Sequence, residues 1–153
     1  MKKNFGFTLA ETMMVVAIAV VVSAIVFFSF SAYGSTEAIS KDQGRVVSVL
    51  EKARAMTLDS VNSSQYGVHF GTSTVTIFTG VTYNASDPSN IVTTLNSKVQ
   101  VQNKVLNGGG SDIIFNRLSG ETNQFGTTTL SLVSATTTTR SITVYGTGLI
   151  QPN

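Results

Sequence analysis

Hydrophobic positions along this chain fall into three successive patterns. From Met13 to Phe30 every residue is apolar except Ser23 and Ser29, and no charged side chain occurs between Thr12 and Thr36. From about Ile39 the apolar positions thin to one side. Ile39, Val46, Leu50, Ala53 and Met56 or Thr57 recur at helical spacing, which assigns Lys41, Asp42, Arg45, Glu51, Lys52 and Arg54 to the other faces. Beyond Asp59 the chain is Thr, Val, Ile, Tyr and Phe in short runs broken by Gly, Asn, Ser and Asp, the pattern of strands and turns. The expectation is an α+β chain. A long N-terminal helix, with a transmembrane half and an amphipathic half, packs on a β-rich globular head over 59–153.

The apolar run is long enough to cross a bilayer, which takes about 20 mostly apolar residues. Lys2 and Lys3 precede it and mixed charges follow, so the positive-inside rule places the N-terminus in the cytoplasm. Three other readings compete. A buried core helix needs surroundings that the rest of the chain is too small to supply. A secretory signal peptide fits the basic start and a cleavage site in "FSFSAYG", but its apolar core usually runs only about 7–15 residues. A plain single-span anchor fits the length. Neither of the last two has any use for Glu11, a carboxylate planted just inside the helix start.

Locally, Thr8-Leu-Ala-Glu11 has the capping-box spacing, and a carboxylate in the first turn suits the helix dipole. That accounts for local stability only. A charge held at membrane depth costs up to a few kcal/mol and usually has a partner. The cations upstream are Lys2 and Lys3, together with the amine a cut before Phe7 would expose.

"KKNFGFTLAE" resembles the leader junction of class III signal sequences, those of type IV pilins and type II secretion pseudopilins. The resemblance implies a basic leader over 1–6 containing Lys2 and Lys3, cleavage after Gly6, and Phe7 as the new, N-methylated terminus. Glu11 is then the fifth residue, which fixes assembly register by recognising the N-terminal amine of a neighbouring subunit. The implied partners are other pilin or pseudopilin subunits, the prepilin peptidase/N-methyltransferase, an inner-membrane assembly platform, and the membrane before assembly. The implied location is the bacterial inner membrane, single-pass, and then an extracytoplasmic filament.

The helix is expected over 7–58, apolar over about 7–33. If unbroken it runs roughly 75–80 Å at about 1.5 Å per residue, too long for a compact domain. Gly34, Gly44 and a fresh capping box at Ser40-Lys-Asp-Gln43 allow a kink or short interruption near 34–40. Strands are predicted at Gln65–Phe70, Thr74–Thr79, Lys98–Leu106, Ile113–Asn116, Thr128–Val133 and Ser141–Tyr145. Turn signals lie at Gly71-Thr-Ser, Asp87-Pro-Ser-Asn, Asn107-Gly-Gly-Gly and Ser119-Gly. The stretch 84–92 reads as an exposed loop. "QYGVHF", "IIFNRLSGE" and "RSITVYGTGLIQ" resemble the head of GspH/FimT-type minor pseudopilins and pilins, with Phe115 and Gly120, then Val144 and Gly148, at its loosely spaced motif positions.

Composition narrows the function. Charged residues are only 12% of the chain, and the net +2 vanishes once Lys2 and Lys3 are set aside, leaving 8 basic against 8 acidic side chains. That balance gives no nucleic-acid footprint. A DNA-binding tip subunit rests on Arg140 alone. Cysteine is absent, which removes disulfides, thiol catalysis and cysteine-ligated zinc. His69 has no metal partners in sequence and reads as a strand-surface or hydrogen-bonded residue. Asp112, Arg117 and Glu121 read as a surface charge cluster at a turn. Gly108-Gly109-Gly110 lacks the Lys and Ser/Thr of a phosphate loop and is a flexible turn. "TTLSLVSATTTTR" alternates as a hairpin should. No residue set calls for a cofactor, a metal or catalysis. The readings that stand are a filament subunit, a tip-located minor pilin binding DNA or a surface ligand, and a plain membrane-anchored or secreted β protein. Pilus, type II secretion and competence machines fit equally.

Overall fold

The computed structural model describes residues 8–153, apart from the side chains of 28–32. The chain divides into two compact units, 1–35 and 36–153. Helix α1 (Leu9–Leu58) contributes to both. No interruption occurs near 34–40: Gly34 and Gly44 are helical, and a side chain at either would meet open space. The propensity cost of about 1 kcal/mol per glycine is outweighed by continuous hydrogen bonding on both sides. α1 ends where Ser60, Asn62 and Ser63 turn to positive φ, forming a short 3-10 turn at Val61–Ser63.

In the second unit eight strands follow. They are β1 (Tyr66–Phe70), β2 (Thr74–Thr79), β3 (Ile91–Thr94), β4 (Val99–Leu106), β5 (Asp112–Ile114), β6 (Gly126–Leu132), β7 (Thr139–Val144) and β8 (Ile150–Pro152). They form two antiparallel sheets, ordered β3-β2-β1-β5 and β4-β6-β7-β8. The chain makes three strands of the first sheet, crosses for β4, returns for β5 and finishes the second sheet. All six predicted strands are present, with ends shifted by up to two residues. The hairpin expected in "TTLSLVSATTTTR" is β6–β7.

Two strands escape the alternation pattern. β3 begins at Ile91, inside the stretch predicted as loop, and is half the length of β4. β8 contains Pro152, a residue tolerated at a sheet edge because its missing N–H is not needed there. The loop before β3 is built from local side-chain bonds. Asn84 Oδ1 accepts the Ser86 amide, and Asp87 Oδ1 accepts both the Ser89 hydroxyl and the Ser89 amide. Those two bonds, the side-chain one first, hold the Asp87 carboxyl below its usual range.

The core lies between the amphipathic half of α1 and the inner faces of both sheets. Ile39, Val46, Leu50 and Ala53 are fully buried against Val68, Val75 and Ile113 of one sheet and Leu130 and Ile142 of the other. Each large aliphatic buried there contributes about 1.5–3 kcal/mol. Thr57 continues the stripe and links helix to sheet. Its hydroxyl donates to the Ala53 carbonyl (2.9 Å) and accepts the Tyr66 amide (3.0 Å), the first of β1. Met56 is only partly buried.

Asp42 corrects the face assignment made from sequence: it is 1% exposed. Standing three residues after Ile39 and four before Val46, it lies in the buried stripe itself. The Asn96 amide donates to its Oδ2 (2.6 Å), and Arg45 Nη1 donates to its Oδ1 (3.0 Å). Arg45 also reaches the Thr94 carbonyl (3.2 Å), so the two residues clip the β3–β4 connection to the helix. Asp42→Ala leaves the Asn96 amide unpaired and is expected to lower unfolding stability by about 1–3 kcal/mol, more than Asp42→Asn, in urea titrations followed by circular dichroism.

Candidate functional site

The N-terminal unit is built around its own helix start. Thr8 caps it: the Glu11 amide donates to Thr8 Oγ1 (3.2 Å), and the Thr12 amide donates to the Thr8 carbonyl (3.1 Å). The Glu11 carboxylate is exposed on this first turn. Lys2, Lys3, Gly6 and Phe7 lie outside the described residues.

From Leu9 to Phe27 the helix has a mean hydropathy of 2.4 over 19 residues, and none of it is buried. Met13, Val16, Ile18, Val21 and Ile25 are each more than half exposed, on all sides of the helix. The two hydroxyls within this stretch are satisfied internally. Thr12 Oγ1 donates to the Leu9 carbonyl (2.8 Å) and Ser23 Oγ to the Ala19 carbonyl (2.7 Å). A segment with its backbone bonds closed, its hydroxyls folded back and apolar side chains all round suits lipid or other helices of the same kind.

In the head, the two glycines picked out by resemblance are brought together. A Cβ on Gly148 would overlap the Gly120 carbonyl oxygen, and one on Gly120 would crowd Arg54 Nε and Leu58 (3.1 Å each). Both have positive φ, 66° and 78°. Arg54 clamps the pair to the helix. Its Nε donates to the Gly120 carbonyl (3.1 Å), and its Nη2 reaches the Thr147 carbonyl (3.5 Å). Phe115 is fully buried and bridges to Thr122, so the motif positions form the corner where β5, the β7–β8 turn and the end of α1 meet. Sequence reasoning did not single out Arg54, because an arginine on a helix flank carries no signal until the opposing carbonyls are known.

Of the other candidates, Asp112 departs from its expected place. It pairs with His69 Nδ1 across the β1–β5 register, not with Arg117 or Glu121, because adjacent strands set the two side chains side by side. Among the described residues no ion pair joins Arg117 to Glu121. Tyr83 from the β2–β3 loop stacks on His69, ring centroids 3.9 Å apart, and meets Phe78 edge-on at 5.6 Å. Phe78 in turn covers Gly67, where a Cβ would strike its ring. Phe78 is thereby buried on a sheet face that alternation would have exposed, and Thr76, paired with His69 across the strands, is buried on the same face. Gly108, Gly109 and Gly110 form an open turn. Arg140 is exposed on β7. Among the described residues no group of three or more His, Asp or Glu side chains converges as a metal site.

Comparison with known proteins bears on both units. Residues 1–27 match the family model of the prokaryotic N-terminal methylation motif. The structure is similar to that of the minor pseudopilin EpsH from the type 2 secretion system of Vibrio cholerae. The TM-score is 0.56 at 14% identity, covering 76% of this chain and 96% of that one. The fold is the pseudopilin fold. A search of curated protein sequences finds no match. On this pseudopilin fold the Gly120–Gly148 contact is a fixed point of the head, and the variants separate backbone need from propensity. Gly148→Ala is expected to destabilise by about 3 kcal/mol or more through strain and overlap. Gly44→Ala, helical and in open space, is expected to stabilise by about 0.5–1 kcal/mol in the same denaturation assay.

Proposed function

We propose that this chain is a structural subunit, of the minor pilin or pseudopilin kind, in a filament of the type IV pilus or type II secretion class. The observation that carries this reading is that the methylation motif over residues 1–27 contains a helix, Leu9–Phe27, whose apolar side chains are exposed on every side. Such a surface has two stable destinations, a bilayer or a bundle of identical helices, and a filament subunit uses them in turn.

In this scheme residues 1–6 are a leader, 7–58 the helix and 59–153 the head. Before assembly the subunit sits in the inner membrane with its N-terminus in the cytoplasm. A prepilin peptidase cuts between Gly6 and Phe7, removing Lys2 and Lys3, and the Phe7 amine is methylated. Losing two lysines matters physically, since each would cost about 2.5–3.5 kcal/mol at the bilayer centre when the helix is drawn out. The Glu11 carboxylate then pairs with the Phe7 amine of a neighbour. One buried ion pair in an apolar bundle contributes little net stability, but a wrong register leaves a charge unpaired at a cost of about 3–5 kcal/mol. Glu11 thus selects register. Its partners are other subunits and the membrane assembly platform.

Intact-mass analysis of protein from host membranes is expected to give a chain beginning at Phe7 and heavier by one methyl group. A chain beginning at Met1, from a host with an active prepilin peptidase, refutes the proposal. Glu11→Ala keeps the backbone amide that Thr8 caps, so the helix start survives while the carboxylate is lost. The variant is expected to be processed and membrane-bound but at least about tenfold depleted from sheared filaments, since each subunit would bury an unpaired amine at a cost of about 3–5 kcal/mol.

A further inference from the structure

The outer face of the second sheet carries a different kind of information. Registered across the strands, its first row is Val105, Thr127, Thr143 and Gln151. Its second is Asn103, Thr129 and Ser141, with Asn153 bonded to the Ser141 backbone beside them. Its third is Gln100, Ser131 and Thr139, of which Ser131 is fully buried and only its two neighbours are open to a ligand. No charged side chain stands in these rows. Lys104 and Arg140 alternate to the opposite face, and Lys98 lies beyond the third row.

The polar groups are also held in place. The Thr127 and Thr143 hydroxyls are hydrogen-bonded (3.0 Å), Asn153 Nδ2 donates to Thr143 Oγ1 (3.0 Å), and Gln100 Nε2 reaches Ser131 Oγ (3.5 Å). At one end of the rows two aromatic rings are exposed, Phe125 and Tyr145, at 46% and 44%. They continue the lines of Thr127 and Thr143. The Tyr145 hydroxyl donates to Gln151 Oε1 (3.1 Å), and a Cβ on the adjacent Gly146 would lie 3.7 Å from the Phe125 ring.

We infer that this face binds a neutral polysaccharide. Three features select that chemistry. Every hydroxyl and amide in the rows, the buried Ser131 excepted, can donate and accept at once, matching a ligand whose own groups are hydroxyls. The absence of cations from the rows, with Lys98 only at their border, gives a polyanion, nucleic acid included, little to neutralise it. A protein partner would call for an apolar centre with a polar rim, whereas here the apolar groups, Val105 and the two rings, sit at the margin. The rings offer flat apolar platforms to the C–H faces of sugar rings. The mutual hydrogen bonds reduce the ordering cost on binding.

The inference does not depend on filament assembly, so it is tested on the unassembled full-length chain. The protein is held in a polyoxyethylene detergent, because glycoside detergents would compete, and applied to an array of neutral and acidic glycans. Retention on neutral glycans, unchanged by added salt, is expected. Tyr145→Ala and Phe125→Ala are each expected to weaken it about tenfold. Tyr145→Trp should preserve it, and Thr129→Val, which keeps strand shape and removes one hydroxyl, should weaken it with an unchanged circular dichroism spectrum. Failure of the folded wild type to retain any neutral glycan overturns the inference. So does binding confined to acidic glycans, or aromatic variants that bind like wild type.

Discussion

Two four-stranded sheets and one helix share a single core because the stripe Ile39–Val46–Leu50–Ala53 is apolar, continuous and fully buried. Each sheet presents one face of alternating Val, Ile and Leu, and a sheet of that size must cover such a face to stand in water. The helix covers both. Much else in the head answers to this constraint. Thr57 satisfies the first amide of β1 from the last helical turn, Asp42 holds the β3–β4 connection, and Arg54 holds the Gly120–Gly148 corner. These polar anchors lie along the same half of α1, each solving a hydrogen-bonding problem created by seating irregular backbone on a helix.

The same helix serves two solvents. Its second half is amphipathic, and tertiary packing accounts for its stability. From Leu9 to Phe27 its first half is apolar all round, closes the Thr12 and Ser23 hydroxyls onto its own carbonyls and exposes a carboxylate only in the first turn. A buried core helix would show apolar side chains covered by the rest of the chain, and between Leu9 and Phe27 none is covered. Glu11 is the exception to that chemistry, and a filament reading gives the exception a purpose that a simple anchor does not.

The head's two outer sheet faces have been treated differently. On the first sheet the loop after β2 folds down, so Tyr83 covers His69 and Phe78 while Asp112 pairs with His69. On the second sheet Ser131 is buried, while the rows from Val105 to Gln151 and from Asn103 to Ser141 are uncharged, at least partly open and bordered by two rings. Residue types alone do not separate these cases, since both faces alternate Thr with apolar residues along their strands.

The methylation motif, the apolar span, the helical stripe and six of eight strands were legible in the sequence. Each depends on interactions local in the chain: 3.6-residue and two-residue periodicity, and a contiguous motif from Lys2 to Glu11. β3 and β8 were not legible, being too short to alternate and defined by neighbours distant in sequence. Asp42 was misplaced because charge was weighed above position, and burial of a carboxylate becomes tolerable only once the Asn96 amide and Arg45 guanidinium are set against it. The reason for Gly120 and Gly148, the His69–Asp112 pairing and the uncharged rows of the second sheet belong to tertiary structure alone. All are contacts between strands or turns far apart in the chain, and only the fold decides which backbone lies against which.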